Sequence, residues 1–282
     1  MIELPEAYVL AEQINKNLVG KTIKNAIANA HPHGFAYYSG DPVAYTAMLA
    51  GMKISKASAE AFEHCGHVGI VCEDMLLSVS TPIKYHASGE KLSKSHQLLL
   101  EFTDGSHMSC TIQMWGVMMC CPTFHNCKKK HAKVPSPLSD AFNENYFDSL
   151  WKNSKQSLSA KAFLATEQRI PGLGNGVLQD ILFNANIHPK TKLETMGDKE
   201  KEKLLYSVKT TLKEMRDLGG RDTEKDLFSQ NGGYQTILSK NTLVHPCRIC
   251  SSGLVRQAFL GGNIYFCPVC QPFTRQNAGD DY

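Results

Sequence analysis

Four cysteines carry the sharpest chemical signal in the chain. Cys247 and Cys250, then Cys267 and Cys270, form two CxxC pairs with sixteen residues between them. Each CxxC turns two thiolates toward one point, and two such pairs complete the closed sulfur tetrahedron that Zn2+ prefers. The expectation is one structural zinc. Between the pairs, Leu254–Leu260 and Ile264–Phe266 read as short strands joined at Gly261-Gly262, a β-hairpin. A redox role for either pair would call for a βαβ setting, and neither has one. The other six of the ten cysteines, Cys65, Cys72, Cys110, Cys120, Cys121 and Cys127, are irregularly spaced. The run CCPTFHNC around His125 fits no standard ligand spacing, so these six read as reduced, mostly buried thiols.

Two further groups of residues have chemical potential. Pro171-Gly172-Leu173-Gly174-Asn175-Gly176 lies between two helical patterns. Its glycines permit a tight turn, and Asn175 opens the second helix, where free N–H groups and the dipole favour a phosphate. Many such turns are merely turns. Glu3 and Glu6 could serve as acid or base, although acids are favoured near any helix N-terminus. Charge distribution adds to the phosphate argument. The net charge is only +3, yet no Asp or Glu occurs from Leu227 to Gly279, while Lys240, Arg248, Arg256 and Arg275 do. An acid-free tract of that length suits a surface facing phosphates.

The elements that must position these groups fall into two halves. Pro5 starts a helix with Leu10, Ile14 and Leu18 at four-residue spacing, closed by Gly20. Short β-like runs follow at Ile23–Ala28, Ile54–Ala59, Val68–Cys72, Met75–Val79, Gln97–Phe102 and Met108–Ile112, with an Asp104-Gly105 hairpin turn between the last two. Many short strands behind one helix predict a β-sandwich. Helical patterns then run over Phe142–Leu150, Ala160–Gln168, Val177–Asn184 and from Asp198 to Leu218, ended by Gly219-Gly220. The fold class is α+β with two domains. Expected boundaries are 1–127 for the helix and sandwich and 128–140 for a Lys/Pro-rich linker. Residues 141–240 then form the helical domain, 241–273 the zinc finger and 274–282 a tail. The apolar runs are too short to span a bilayer, and the acids of MIELPEAYVL oppose a secretory signal, so a cytoplasmic chain is expected.

Taken together, Glu3-Leu4-Pro5-Glu6, Lys161 through Asn175 with its Pro-Gly-Leu-Gly-Asn turn, Ile187-His188-Pro189 and Tyr265-Phe266-Cys267-Pro268-Val269-Cys270-Gln271 resemble the formamidopyrimidine-DNA glycosylase and endonuclease VIII family, nearly end to end. The resemblance implies an N-terminal β-sandwich, a helix–two-turn–helix and a zinc finger, with DNA in the cleft between domains. It implies a monomer, associated with the nucleoid, that needs no small-molecule cofactor and flips a damaged nucleotide out of duplex DNA. In that chemistry the N-terminal amine attacks C1′ of the sugar, and the neighbouring glutamate assists ring opening and proton transfer. Glu3 and Glu6 match the glutamates of this motif, and Lys161 and Asn175 match its DNA-contacting helical positions.

The departures fall on working residues. The family's nucleophilic proline is Ile2 here, and a residue so large is expected to keep Met1 in place. The phosphate-binding lysine aligns with His67, the domain-one arginine with Met114 before Trp115-Gly116, and the zinc-hairpin arginine with Gly262. Each replacement removes a charge-assisted contact. Asn175 and Arg256 then remain as the phosphate grip, with Trp115 as an apolar wedge between bases. Three functions are compatible with this pattern. They are a base-excision DNA glycosylase with weakened strand-cutting lyase activity, a non-catalytic binder of damaged or distorted DNA, and an interaction protein that keeps only the scaffold.

Overall fold

The computed structural model describes residues 2–62, 65–92, 94–123, 134–166 and 169–273. Met1, His125, Cys127, the Lys128–Lys130 run, Gln168, Arg275 and the tail therefore lie outside the described residues. By contact the chain divides into two compact units.

The first unit comprises Met1–Ser136, Ile170–Gly172 and Lys213–Gln235. It begins with α1 (Leu4–Asn17), which Pro5 opens in its first turn, where a missing N–H costs nothing. Leu4, Ala7, Leu10, Ala11 and Ile14 form its buried stripe. Nine strands follow, β1 (Ile23–Ala28), β2 (Ala36–Tyr38), β3 (Ile54–Phe62), β4 (Cys65–Cys72), β5 (Met75–Val79), β6 (Ile83–His86), β7 (Leu98–Phe102), β8 (His107–Cys110) and β9 (Gly116–Pro122), with a short α2 (Tyr45–Leu49) after β2. They make a four-stranded sheet ordered β1-β7-β8-β6 and a five-stranded sheet ordered β2-β9-β5-β4-β3. Ile23, Leu98, Leu100, Phe102 and Met108 of the first sheet share one buried cluster with Val68, Ile70, Leu77, Val79 and Met118 of the second. Two sheets sealed over one core make the expected β-sandwich. Cys72, Cys110 and Cys120 are buried free thiols, as expected, whereas Cys121 is disulfide-bonded, which corrects the expectation of reduced thiols throughout.

The sequence pattern misses β2, β6 and β9. The β9 segment reads as an unbroken apolar run, Val117-Met118-Met119-Cys120-Cys121, although only alternate residues face the core. A run without period-2 alternation leaves no strand signature.

The second unit comprises Pro137–Arg169, Leu173–Leu212 and Thr236–Tyr282. It contains α3 (Glu144–Lys152), α4 (Ala160–Ala165), α5 (Val177–Asn184), most of α6 (Asp198–Asp217), and a hairpin of β10 (Val255–Phe259) and β11 (Gly262–Phe266). Asn143 and Ser159 cap α3 and α4 by accepting the N–H of Tyr146 and Ala162. Phe147, Trp151 and Phe163 pack ring against ring. Buried Asp180 on α5 accepts the N–H groups of Ile237 and Leu238 at 2.9 and 2.8 Å, which fixes the chain entering the cysteine-rich hairpin. The architecture is α+β, a sandwich in one unit and helices with a β-hairpin in the other. Among the described residues no helix is long and apolar enough to cross a membrane.

Candidate functional site

In the first unit the start of α1 is tightly held. The backbone N–H of buried Ile2 donates to the Ser80 carbonyl at 3.0 Å, and that of Leu4 to the Gly172 carbonyl at 2.8 Å. Glu3 takes the N-cap position in an extended conformation, but its carboxylate does not cap the helix. Glu6 lies one turn before Leu10 on the stripe that packs inward, and is only 4% exposed. A carboxylate there must be paired. Its partner is Arg221, whose Nε and one terminal nitrogen donate to the two Glu6 oxygens at 2.9 Å each. The Arg221 backbone N–H adds a third bond to Glu6 at 3.3 Å. The other terminal nitrogen lies 3.5 Å from Glu3, and Glu224 approaches at 3.8 Å. Burial opposes the Arg221 cation, but the Glu3 and Glu6 carboxylates outweigh it and hold its pKa above the usual range. Burial, reinforced by Glu6 and Glu3, raises the Glu224 carboxyl against the pull of Arg221.

Arg221 reaches this position because the loop after α6 doubles back on itself. Gly220 has φ +95°, and a Cβ at Gly232 would lie 2.1 Å from the Gly220 carbonyl carbon, so the two glycine pairs touch backbone to backbone. Farther along, Asp226 accepts from the Gln13 amide at 2.8 Å, and the Leu227 N–H donates to the Gln13 side-chain oxygen at 2.9 Å. Leu227 itself is part of the sandwich core. Arg221 carries no local signature in the sequence. The one local hint was Glu6 itself, an acid on the apolar stripe of α1, which requires a cation from somewhere.

His67 on β4 is only 3% exposed, so its ring is not presented to solvent. Trp115 is half-buried just before β9, and Met114 beside it is 69% exposed.

In the second unit Asn175 and Arg256 meet at one residue. Exposed Asn175 donates its side-chain N–H to the Asn263 carbonyl at 3.0 Å, and Arg256 Nε donates to the Asn263 side-chain oxygen at the same distance. Gln179 supports the arrangement, donating to Asn263 O at 3.1 Å and accepting from the Tyr265 N–H at 3.0 Å. Lys161 is buried. Its ammonium donates to the Phe259 carbonyl at 2.6 Å, and burial lowers its pKa. It therefore braces the hairpin and is not presented to solvent. Gly262 stands between these groups, and a Cβ built on it would lie 3.4 Å from Lys161 Nζ and 3.6 Å from Asn175 Oδ1.

Below the hairpin, the sulfurs of Cys247, Cys250, Cys267 and Cys270 all lie within 4.8 Å of one another. The Cys247–Cys270 and Cys250–Cys267 separations are 3.7 and 3.4 Å. A zinc ion with sulfurs at ~2.3 Å in a tetrahedron separates them by about 3.8 Å. The donor set therefore fits a metal ion of that kind. The Ser252 hydroxyl lies 3.0 Å from Cys250 Sγ and 3.1 Å from Cys267 Sγ, within reach to hydrogen-bond the thiolates a metal requires.

Residues 134–226 match the formamidopyrimidine-DNA glycosylase H2TH domain. The formamidopyrimidine-DNA glycosylase of Oceanobacillus iheyensis is 24% identical over 280 residues, covering 96% of this chain and 98% of that protein. That of Histophilus somni is 34% identical over 142 residues, but the match spans about half of each chain, 49% of this one and 51% of the relative. Among solved structures, Lactococcus lactis Fpg in complex with DNA containing N7-benzyl-Fapy-dG superposes with a TM-score of 0.81 at 23% identity, over 96% of this chain and 100% of that one. The Thermus thermophilus Fpg protein gives 0.78 at 19% identity, over 95% and 98%.

Proposed function

We propose that the chain is a member of the formamidopyrimidine-DNA glycosylase and endonuclease VIII family and a DNA glycosylase releasing damaged bases by hydrolysis, with little strand cleavage. The observation that carries this reading is the contrast between Ile2 and Glu3. Ile2, in the place of the family's proline, is buried with its nitrogen engaged by Ser80, while the Glu3 carboxylate does not cap the helix and lies 3.5 Å from Arg221. In the hydrolytic step Glu3 takes a proton from water and the water oxygen bonds to C1′. The bond from C1′ to the base breaks, its electron pair leaves with the base, and solvent protonates the base. Arg221 holds Glu6 and Glu3 in place for this step. Met1 and Ile2 are assigned no covalent role.

Asn175 and Arg256 are proposed to grip the phosphate beside the lesion, with Trp115 at the gap left by the flipped nucleotide. Lys161 supports that grip indirectly by bracing the hairpin, and His67 has no part in it. The four cysteines are proposed to hold one structural zinc. The ion would close the ribbon and leave no open coordination position for catalysis.

A base-release assay on lesion-bearing duplexes tests the proposal. The expected outcome is free base from the wild-type protein, strand breaks appearing only after alkali, and a hundredfold or greater loss in Glu3→Gln, the scale for removing a general base. Efficient borohydride trapping of an N-terminal adduct on abasic DNA would show instead that an amine attacks. If no lesion is released and duplexes carrying lesions still bind, the protein is a non-catalytic binder.

A further inference from the structure

On the outer face of the five-stranded sheet, β2 and β9 pair in parallel with Ala36 opposite Gly116 and Tyr37 opposite Val117. The Gly116 N–H donates to the Phe35 carbonyl at 3.0 Å, so the pairing continues to the residues just before both strands. Ala36, Tyr38 and Met118 turn toward the core. Alternation then turns Phe35, Tyr37, Trp115 and Val117 outward. Phe35, just before β2, is 59% exposed and Tyr37 on it is 53% exposed, so two large rings stand close together in solvent at the sheet edge. Neither segment 31–39 nor segment 113–119 contains Lys, Arg, Asp or Glu, so this face offers aromatic area without fixed charge.

The face also adjoins the proposed reaction centre. The Ile2 N–H bonds to Ser80 O, the Ser80 N–H bonds to Val117 O, and the Val117 N–H returns to Ser80 Oγ at 2.9 Å. Two hydrogen-bonded chain spacings, roughly 10 Å, separate Ile2 from Val117. We propose that Phe35, Tyr37 and Trp115 form a stacking platform for unpaired bases flanking the lesion, so that single-stranded or locally opened DNA binds there.

The occupant follows from chemistry. In a duplex the flat face of each base is covered by its neighbours and only base edges show in the grooves. A ring that does not wedge into the stack therefore gains stacking contact from bases that are already unpaired. Stacking of this kind also suits a chain with the modest net charge of +3, because it adds affinity without cations. The inference rests on the DNA-binding part of the proposed function but not on base release.

Equilibrium binding of the full-length, zinc-loaded protein to an unmodified oligo-dT strand and to a duplex of equal length tests it. The paired variants are Phe35→Ala/Tyr37→Ala and Phe35→Leu/Tyr37→Leu. Each lost ring should weaken single-strand binding about tenfold or more, and leucine should not restore it. Duplex affinity should stay within about twofold and the melting temperature should be unchanged, since both rings are exposed. The dependence of single-strand affinity on salt should keep its slope, because no phosphate contact is removed. Tryptophan emission gives a second readout. Trp151 is buried in the other unit, so quenching by oligo-dT should report Trp115 and vanish in Trp115→Phe. Single-strand binding that is unchanged in the alanine pair overturns the proposal, as does equal weakening of duplex binding or failure to bind oligo-dT at all. A platform that binds strands in a protein releasing no base would refute the glycosylase activity alone.

Discussion

Removal of the Arg221 side chain is the perturbation with the largest expected effect on stability. In Arg221→Met the Glu6 carboxylate, 4% exposed, loses both 2.9 Å charge-assisted bonds and keeps only the 3.3 Å backbone N–H. Breaking one side of a buried ion pair costs about 3–5 kcal/mol, since the remaining charge stays desolvated. Glu3 and Glu224 add little to this cost, because their side chains are 13% and 38% exposed and water can reach them. Against a total stability of about 5–15 kcal/mol, the loss is about a fifth or more. At roughly 2–4 °C per kcal/mol for a unit of this size, the melting temperature should fall by about 6–20 °C. The double variant Glu6→Met/Arg221→Met removes both charges and should recover most of the loss, with a coupling energy of about 3 kcal/mol. It should nonetheless stay deficient in base release, because Glu3 has lost the guanidinium that steers it. Urea unfolding and base release measured on the two singles and the double decide the matter. Additive losses in stability, or a single variant costing under about 1 kcal/mol, would refute the argument that burial makes this pair interdependent.

Other outcomes follow from the second unit. Metal analysis of freshly purified, reduced protein should give one zinc per chain, released by thiol modification with loss of the hairpin's hydrogen-exchange protection; no zinc would refute the assignment. Asn175→Ala and Arg256→Ala should each weaken duplex binding by about 1–3 kcal/mol. Arg256→Ala should also flatten the salt slope by roughly one unit. Because both side chains bond to Asn263, the double variant should lose less than the sum. His188 packs between Phe266 and Phe273, and its Nδ1 accepts the Lys190 N–H at 3.1 Å. Burial, with Lys190 adding, lowers its pKa from 6.5 to about 4. Between those two values the unfolded chain binds a proton that the folded chain excludes, so stability falls as pH drops through the window. From pH 7 to pH 5 the loss should be about 2 kcal/mol. A His188→Asn variant whose stability falls as steeply with acid as the wild type's would show that this ring is not responsible.

Much of this molecule was legible in its residues because the deciding interactions are short in sequence. The two CxxC pairs bring their thiolates together through turns of four residues, and Pro5 with the Leu10–Ile14–Leu18 spacing defines a helix with one apolar side. β1, β5 and α5 have the expected bounds, since each carries its own pattern and its own turns. The Asn175 turn between α4 and α5 was visible for the same reason.

Tertiary structure decided what depends on distant partners. Arg221 is unremarkable in the sequence until a chain separation of 215 residues closes and sets it against Glu6. Residues 213–235 belong with the sandwich because Leu227 is in that core and Gln13 holds the loop, neither of which has a local signature. Lys161 and Arg256 look alike as isolated cations. One ends buried on the Phe259 carbonyl and the other exposed beside Asn263. The sequence determines which groups are charged, but burial and partners exist only in three dimensions, and they decide whether a charge braces the fold or faces a ligand.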